Sequence, residues 1–151
     1  MKILISACLL GEPCRYDGRS KPVPEIQKLA AQGYELIPVC PEVLGGLDTP
    51  RPPAELQPDG RVMNEVGADV TAAYQKGAEL ALALAQKEGC ILAVLKEKSP
   101  SCGNREVYDG TFSRQLTAGQ GVTARLLTQH GISVLGESQI SQLIQPKQAE
   151  M

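Results

Sequence analysis

Tryptophan is absent from this 151-residue chain, and phenylalanine occurs once. A core organised around large rings is thereby excluded, so Leu, Ile, Val and Ala must fill the interior. Histidine also occurs once, as His130 beside Gly131 near the end of a helical stretch. This leaves little support for zinc held by imidazole pairs, or for a Cys–His nucleophile whose base would have to be that one residue. No apolar run approaches the roughly 18 residues of a membrane-spanning helix. The apolar start "MKILISACLL" stops at Gly11 with no convincing cleavage site before Glu12, so it is read as part of the fold and not as a signal peptide. Charge of either sign is not in excess: the net value of −2 gives no general attraction to nucleic acid or to anionic membranes. A cytoplasmic protein with no membrane partner is the expectation.

What is present is enough aliphatic material for a core. With 42% hydrophobic residues the chain can bury a proper interior without disulfide support. "KILIS" (2–6) reads as a buried strand. "VPEIQKLAAQG" reads as a helix, with Ile26, Leu29 and Ala30 at i, i+3 and i+4 and Gly33 as the stop. "YELIPV" is the next strand, followed by an irregular stretch from Pro41 to Gly60, dense in proline and glycine. Such a loop in a compact domain is often functional. Glu65 to Gly89 carries the longest helix signal, "CILAVLK" a third strand, and a second irregular stretch follows it. "GVTARLLTQHG" is a helix, "ISVLG" a fourth strand and "SQISQLI" a short terminal helix. Strand and helix alternate throughout. The fold class expected is therefore α/β: one three-layer, Rossmann-like domain over residues 1–145, with a mostly parallel sheet, helices on both faces and a frayed tail at 146–151.

Five cysteines, an odd number, stand at positions 8, 14, 40, 90 and 102. In a reducing compartment they are metal-binding, catalytic or buried sooner than disulfide-bonded. Cys90 heads an apolar strand and reads as a small buried hydrophobe. Cys8, Cys40 and Cys102 each follow the carboxyl end of a predicted strand, where open α/β sheets bind their ligands. A shared site for these three thiols and three separately buried cysteines are both open at this point. Cys8 and Cys14, spaced C-x5-C, do not have a zinc-ribbon spacing. Iron–sulfur clusters take cysteine thiolates, four for a closed [4Fe–4S] cube; three leave one iron open to a substrate atom. Cys14 as a fourth ligand would close such a site.

Four stretches, "SACLLGEPCRYDG", "PVCPEVLGGLDTPRPPAE", "GADVT" and "LKEKSPSCG…YDGTF", resemble the bacterial domain-of-unknown-function family that includes thiouracil desulfidase. The resemblance runs from about Lys2 to Leu135. It implies a [4Fe–4S] cluster with ligands falling on Cys8 in "SACLLG", Cys40 in "PVCPE" and Cys102 in "SPSCG". It further implies non-redox removal of sulfur, as sulfide, from a thiolated uracil: thiouracil, 4-thiouridine or its monophosphate. The partner implied is a small thiolated pyrimidine or nucleotide. Nucleic acid is not the expected substrate, although longer relatives act on thiolated transfer RNA.

That chemistry needs a positioned acid or base. Glu42, two residues after Cys40, is the first candidate; a surface carboxylate at a helix start is the plain alternative. Ser101, next to Cys102, is a candidate to orient water or substrate, with Ser99 second; serines in an "SPS" turn otherwise satisfy their own backbone. Lys96 and Lys98 are candidates to stabilise leaving sulfide, or are solvated lysines at a strand end. In "RYDGRSK", Arg15, Arg19 and Lys21 are candidates for a phosphate and Tyr16 for stacking on a pyrimidine, with Tyr108 its counterpart in the second "YDG". An Arg51–Glu55 pair is expected to shape the pocket wall. Rival readings are a non-catalytic protein whose Cys8, Cys14, Cys40 and Cys102 close a zinc or iron–sulfur site, a metal-free persulfide carrier, and a binding module without turnover.

Overall fold

The computed structural model describes residues 1–143. In chain order the elements are β1 (Lys2–Ser6), α1 (Ile26–Ala31), β2 (Glu35–Val39), α2 (Pro41–Leu44), β3 (Ala54–Leu56) and β4 (Val62–Asn64). They continue with α3 (Thr71–Glu88), β5 (Leu92–Leu95), β6 (Glu106–Tyr108), β7 (Leu116–Ala118), α4 (Val122–Gln129) and β8 (Ser133–Gly136). Two 3-10 turns, Ala7–Leu10 and Glu137–Gln142, complete the set. The tail at 146–151 and the end of the predicted terminal helix at Ile144 lie outside the described residues.

A parallel sheet of order β2-β1-β5-β8 forms the centre. β1 pairs with β2 from Lys2↔Glu35 to Ser6↔Val39, and with β5 from Ile3↔Leu92 to Ile5↔Val94. β8 joins β5 from Leu92↔Ser133 to Leu95↔Gly136. Alternation along the strands sends successive side chains to opposite faces. Leu4, Ala93 and Leu95 pack with Ala81 and Ala85 of α3 and with Ala124 and Leu127 of α4. Ile3, Ile5 and Val94 pack on the other side with Ile26 and Leu29 of α1, Leu9 and Ile140. Each fully buried Leu or Ile contributes about 1.5–3 kcal/mol through the water it sheds. The α/β fold with helices on both faces is as the alternation predicts.

Small residues decide how α2 is seated. A methyl group on Gly77 of α3 would overlap the Pro41 carbonyl, and one on Gly45 would overlap that of Ala73. The two helices therefore meet backbone to backbone, and the start of α2, where Cys40 sits, is fixed against α3.

Three local expectations are corrected. The predicted helix at Glu65 begins only at Thr71, because Asn64 Oδ1 accepts the Val66 and Ala68 amides at 3.1 and 2.8 Å and Asp69 Oδ1 accepts that of Thr71 at 2.9 Å. These side-chain bonds hold the intervening residues in turns. Each irregular stretch also contains a hairpin: β3 pairs antiparallel with β4, and β6 with β7. Among the described residues no helix is long and apolar enough to cross a membrane.

Candidate active site

Three neighbouring strands, β2, β1 and β5, end on the same side of the sheet, and each runs into a cysteine. Cys8 follows β1 inside the 3-10 turn, which Gly11 terminates at φ 101°. The Lys21 amide ties that turn down by donating to the Cys8 carbonyl at 2.9 Å. Cys40 follows β2 directly as the N-cap of α2. Cys102 lies in the loop after β5, where Ser99 Oγ accepts the amides of Ser101 and Cys102 at 3.0 and 3.1 Å. The order in which strands are added reverses between β1 and β5: β2 lies to one side of β1, β5 and β8 to the other. That is the switch point where doubly wound sheets open a crevice.

The crevice is a cavity of about 720 Å³, and the thiols of Cys8, Cys14, Cys40 and Cys102 all line it. Cys8 and Cys102 are buried, whereas Cys14 and Cys40 are half-buried, and none is in a disulfide. The Cys40 thiol donates to the Cys14 carbonyl at 3.8 Å. Burial first, and the nearby Glu42 carboxylate second, push the Cys102 thiol up to about 12. Cys40 is also pushed up, by a hydrogen bond with the Cys14 thiol and then by burial. Cys14 rises to about 11: the bond from Cys40 pulls it down, but the Cys8 thiol and burial outweigh that pull.

These are soft donors, kept neutral by burial until a cation is there to share their charge. The Cys14 thiol bonds those of Cys40 and Cys8, so the sulfurs gather, but among the described residues without the close donor set of a single-ion site. A cube presents its irons at separate corners, so its thiolates need only ring a cavity. The residues present fit a thiolate-ligated cluster better than a tetrahedral zinc.

Cys90 is elsewhere, 4% exposed and packed in the core with Leu4 and Ala85, as a small buried hydrophobe would be. His130 caps the end of α4 and is exposed, away from the cavity.

Beside the thiols stands an ion pair that the sequence reading did not contain. Arg51 Nη2 and Nε reach Glu42 Oε2 at 2.7 and 2.9 Å, with the two side chains only 7% and 14% exposed. The expected Arg51–Glu55 pair is replaced by this one. Glu55, four residues along, instead accepts the Gly110 and Phe112 amides at 2.9 and 3.1 Å. Arg51 also donates to the carbonyls of Cys14 and Asp48 and to Thr49 Oγ1, each at 3.0 Å. Tyr74 of α3 lines the cavity beside Glu42; burial, then the Glu42 charge, push its hydroxyl up.

The remaining candidates divide. Ser99, Arg15, Tyr16, Lys96 and Lys98 line the cavity. Ser101, Arg19 and Lys21 are not on its wall. Ser101 is fully buried with its hydroxyl 2.8 Å from Thr123 Oγ1, beneath the Cys102 loop. Lys96 is engaged, its ammonium 3.0 Å from Glu137 Oε2 and 3.0 Å from the Glu97 carbonyl. Tyr74, Glu65, Phe112 and Arg114 line the cavity without having been singled out. For Tyr74 the sequence held only a helical periodicity that reads as core. Phe112 stood within the quoted "YDGTF", and its rarity was the available signal.

Similarity to known proteins agrees with this geometry. A sequence model of the 2-thiouracil desulfurase family matches residues 3–139. The uncharacterized protein YbbK of Bacillus subtilis (strain 168) is 40% identical over 151 residues, covering 94% of this chain and 99% of that protein. A solved structure of the [4Fe-4S]-dependent thiouracil desulfidase TudS superposes with a TM-score of 0.88 at 51% identity, over 94% of each chain. The chain belongs to the 2-thiouracil desulfurase family.

Proposed function

We propose that this protein is a [4Fe–4S]-dependent desulfidase that hydrolyses a thiolated uracil to the corresponding uracil and sulfide. One observation carries the reading: three thiols from three adjacent strands ring a single cavity that also holds a buried carboxylate clasped by an arginine. Cys8, Cys40 and Cys102 would hold the cluster. When bound, it supplies a soft Lewis acid that draws on the thiocarbonyl sulfur and leaves the adjacent carbon open to water. Glu42 takes one proton from that water and passes it to the departing sulfur, which leaves with both water protons, while Arg51 and Tyr74 keep the carboxylate in place. Overall, C=S and water become C=O and hydrogen sulfide, with no change of oxidation state. The Ser99 oxygen already accepts two amides, so its hydroxyl proton remains for a substrate oxygen or water. Lys98 and Arg15 are the wall cations suited to a leaving sulfide or a nucleotide phosphate. Five free thiols support a reducing, cytoplasmic setting. A cavity of about 720 Å³ suits a small-molecule partner.

The hydrogen bonds that link the Cys14 thiol with those of Cys40 and Cys8 favour a second reading, a closed four-cysteine site without turnover. One measurement separates the two. Iron, acid-labile sulfide and zinc are determined on protein purified and reconstituted without oxygen, for the wild type and for alanine variants at each cysteine. The desulfidase reading expects about four irons and four sulfides per chain. It expects them to be retained in Cys14→Ala, lost on replacing Cys8, Cys40 or Cys102, and accompanied by sulfide release from thiouracil or 4-thiouridine monophosphate. Loss of the cluster in Cys14→Ala favours the closed site. Zinc in place of iron overturns the desulfidase mechanism.

A further inference from the structure

The wall of the cavity facing the cysteine loops comes from the bend between β6 and β7, and that bend is held in an unusual conformation. Phe112 and Arg114 both adopt left-handed backbone angles, φ 56° and 61°. Bulky residues take up this region only where their surroundings impose it. The imposing group is Glu55 of β3, 9% exposed, whose Oε1 accepts the amides of Gly110 and Phe112. Gln57, immediately after that strand, donates to the Gly110 carbonyl at 3.2 Å, and the Asp109 amide closes the bend on the Gln115 carbonyl at 2.9 Å. Two side chains of one hairpin thus grip the tip of the other. The outcome of that grip is that Phe112 and Arg114 line the cavity.

Phe112 is the chain's single phenylalanine and is 37% exposed. It has no polar atom that solvent would stabilise, so burial elsewhere would be favourable, yet the backbone is strained to leave the ring at the cavity. The three tyrosines that also line the cavity are accounted for without substrate: Tyr74 is hydrogen-bonded to Glu42. Tyr108 is a paired residue of β6, opposite Leu116. Tyr16 carries a hydroxyl that solvent can satisfy. We infer that Phe112 is the ring on which the planar pyrimidine stacks, and that Glu55 is the positioning residue that holds it there. This inference rests on the thiolated-uracil reading above. Aromatic faces bind flat rings by offset stacking, tolerant of substituents on the pyrimidine edge.

The absence of tryptophan gives the test its probe. Phe112→Trp places the chain's single tryptophan at the cavity, and its emission, excited beyond the absorption of uracil, is followed as uracil is added. Saturable quenching is expected. Combining F112W with Glu55→Ala should weaken the half-saturating concentration about tenfold, the equivalent of one lost stacking contact. F112W with Glu55→Gln should behave like F112W alone, because an amide oxygen still accepts both backbone N–H groups. In steady state, Phe112→Ala should raise KM for thiouracil about tenfold with kcat and iron content nearly unchanged, and Phe112→Tyr should restore it. An emission that ignores uracil while thiouracil is still turned over overturns the inference. So does a KM that rises in Tyr16→Ala and not in F112A. If the wild type releases no sulfide but the F112W emission still reports uracil, the stacking assignment stands and the reaction reading falls.

Discussion

Replacing Arg51 by methionine tests the proposed architecture of the acid–base side of the cavity. The substitution keeps most of the aliphatic stem and removes the guanidinium, which leaves Glu42, 14% exposed, without its counter-charge. Removing one partner of a buried pair costs about 3–5 kcal/mol, since the remaining charge must stay desolvated or drag in water. The lost bond to the Cys14 carbonyl is part of the same rearrangement and is not added separately. At roughly 2–4 °C per kcal/mol for a chain of this size, R51M should melt about 6–20 °C below the wild type. The assay is thermal unfolding under nitrogen, with iron content matched between samples.

The double variant Glu42→Gln/Arg51→Met removes the orphaned charge along with its partner and should recover at least about half of the loss. A drop below about 1 kcal/mol in R51M would mean that the pair behaves as an exposed one, screened by water. Equal losses in the single and double variants would mean that Arg51 acts through the loop carbonyls and not through Glu42. Either result refutes the assignment of Arg51 as the residue that holds Glu42 in place.

Gly77→Ala should cost about 1–3 kcal/mol, because the new methyl meets the Pro41 carbonyl; by displacing α2 it should also lower iron loading, read by iron and sulfide analysis. Cys90→Ala should cost only about 1 kcal/mol, the worth of one small buried group, and leave iron content untouched. The metal-free protein should lose stability in alkali. Cys102 and Cys14, pushed to about 12 and 11 from the ordinary 9.0, hold protons that the unfolded chain gives up. Their contribution is intact below pH 9.0 and falls as pH rises toward 12, so urea midpoints in that window should drop less in Cys102→Ala than in the wild type.

The parallel sheet was legible because its strands are short apolar runs separated by helices that end in glycine, signals that survive without tertiary context. Cys8, Cys40 and Cys102 were legible as a group for the same reason: strand ends gather on one edge whatever the side chains do. The hairpins were not, since three-residue strands such as β3 and β6 carry no alternation to recognise. The partner of Arg51 was equally hidden. Arg51 and Glu55 are neighbours on a helix, but this stretch is extended and leads into β3, so the guanidinium turns back nine residues to Glu42. Adjacency alone does not tell wall from floor: the buried Ser101 hydroxyl bonds Thr123 Oγ1 and the Cys102 thiol, whereas Ser99 lines the cavity.

Two sets of contacts therefore maintain two parts of one cavity. The thiol loops are tied by local bonds: Lys21 to Cys8, Ser99 to Cys102, and the seat of α2 on α3 behind Cys40. Another wall is tied by the grip of β3 on the bend after β6, through bonds that end on no cysteine, although Val107 of β6 bridges Lys98 in the Cys102 loop. Substitutions at Phe112 or Glu55 should consequently weaken pyrimidine binding while iron content stays constant. Arg51 belongs to both sets: it lies in the proline-rich segment leading to β3 and bonds both Glu42 and the Cys14 carbonyl. Loss of its guanidinium should move stability, cluster content and turnover together, whereas loss of the Phe112 ring should move KM alone. That contrast follows from where each residue's bonds end, and it distinguishes a cavity with separable walls from one that fails as a unit.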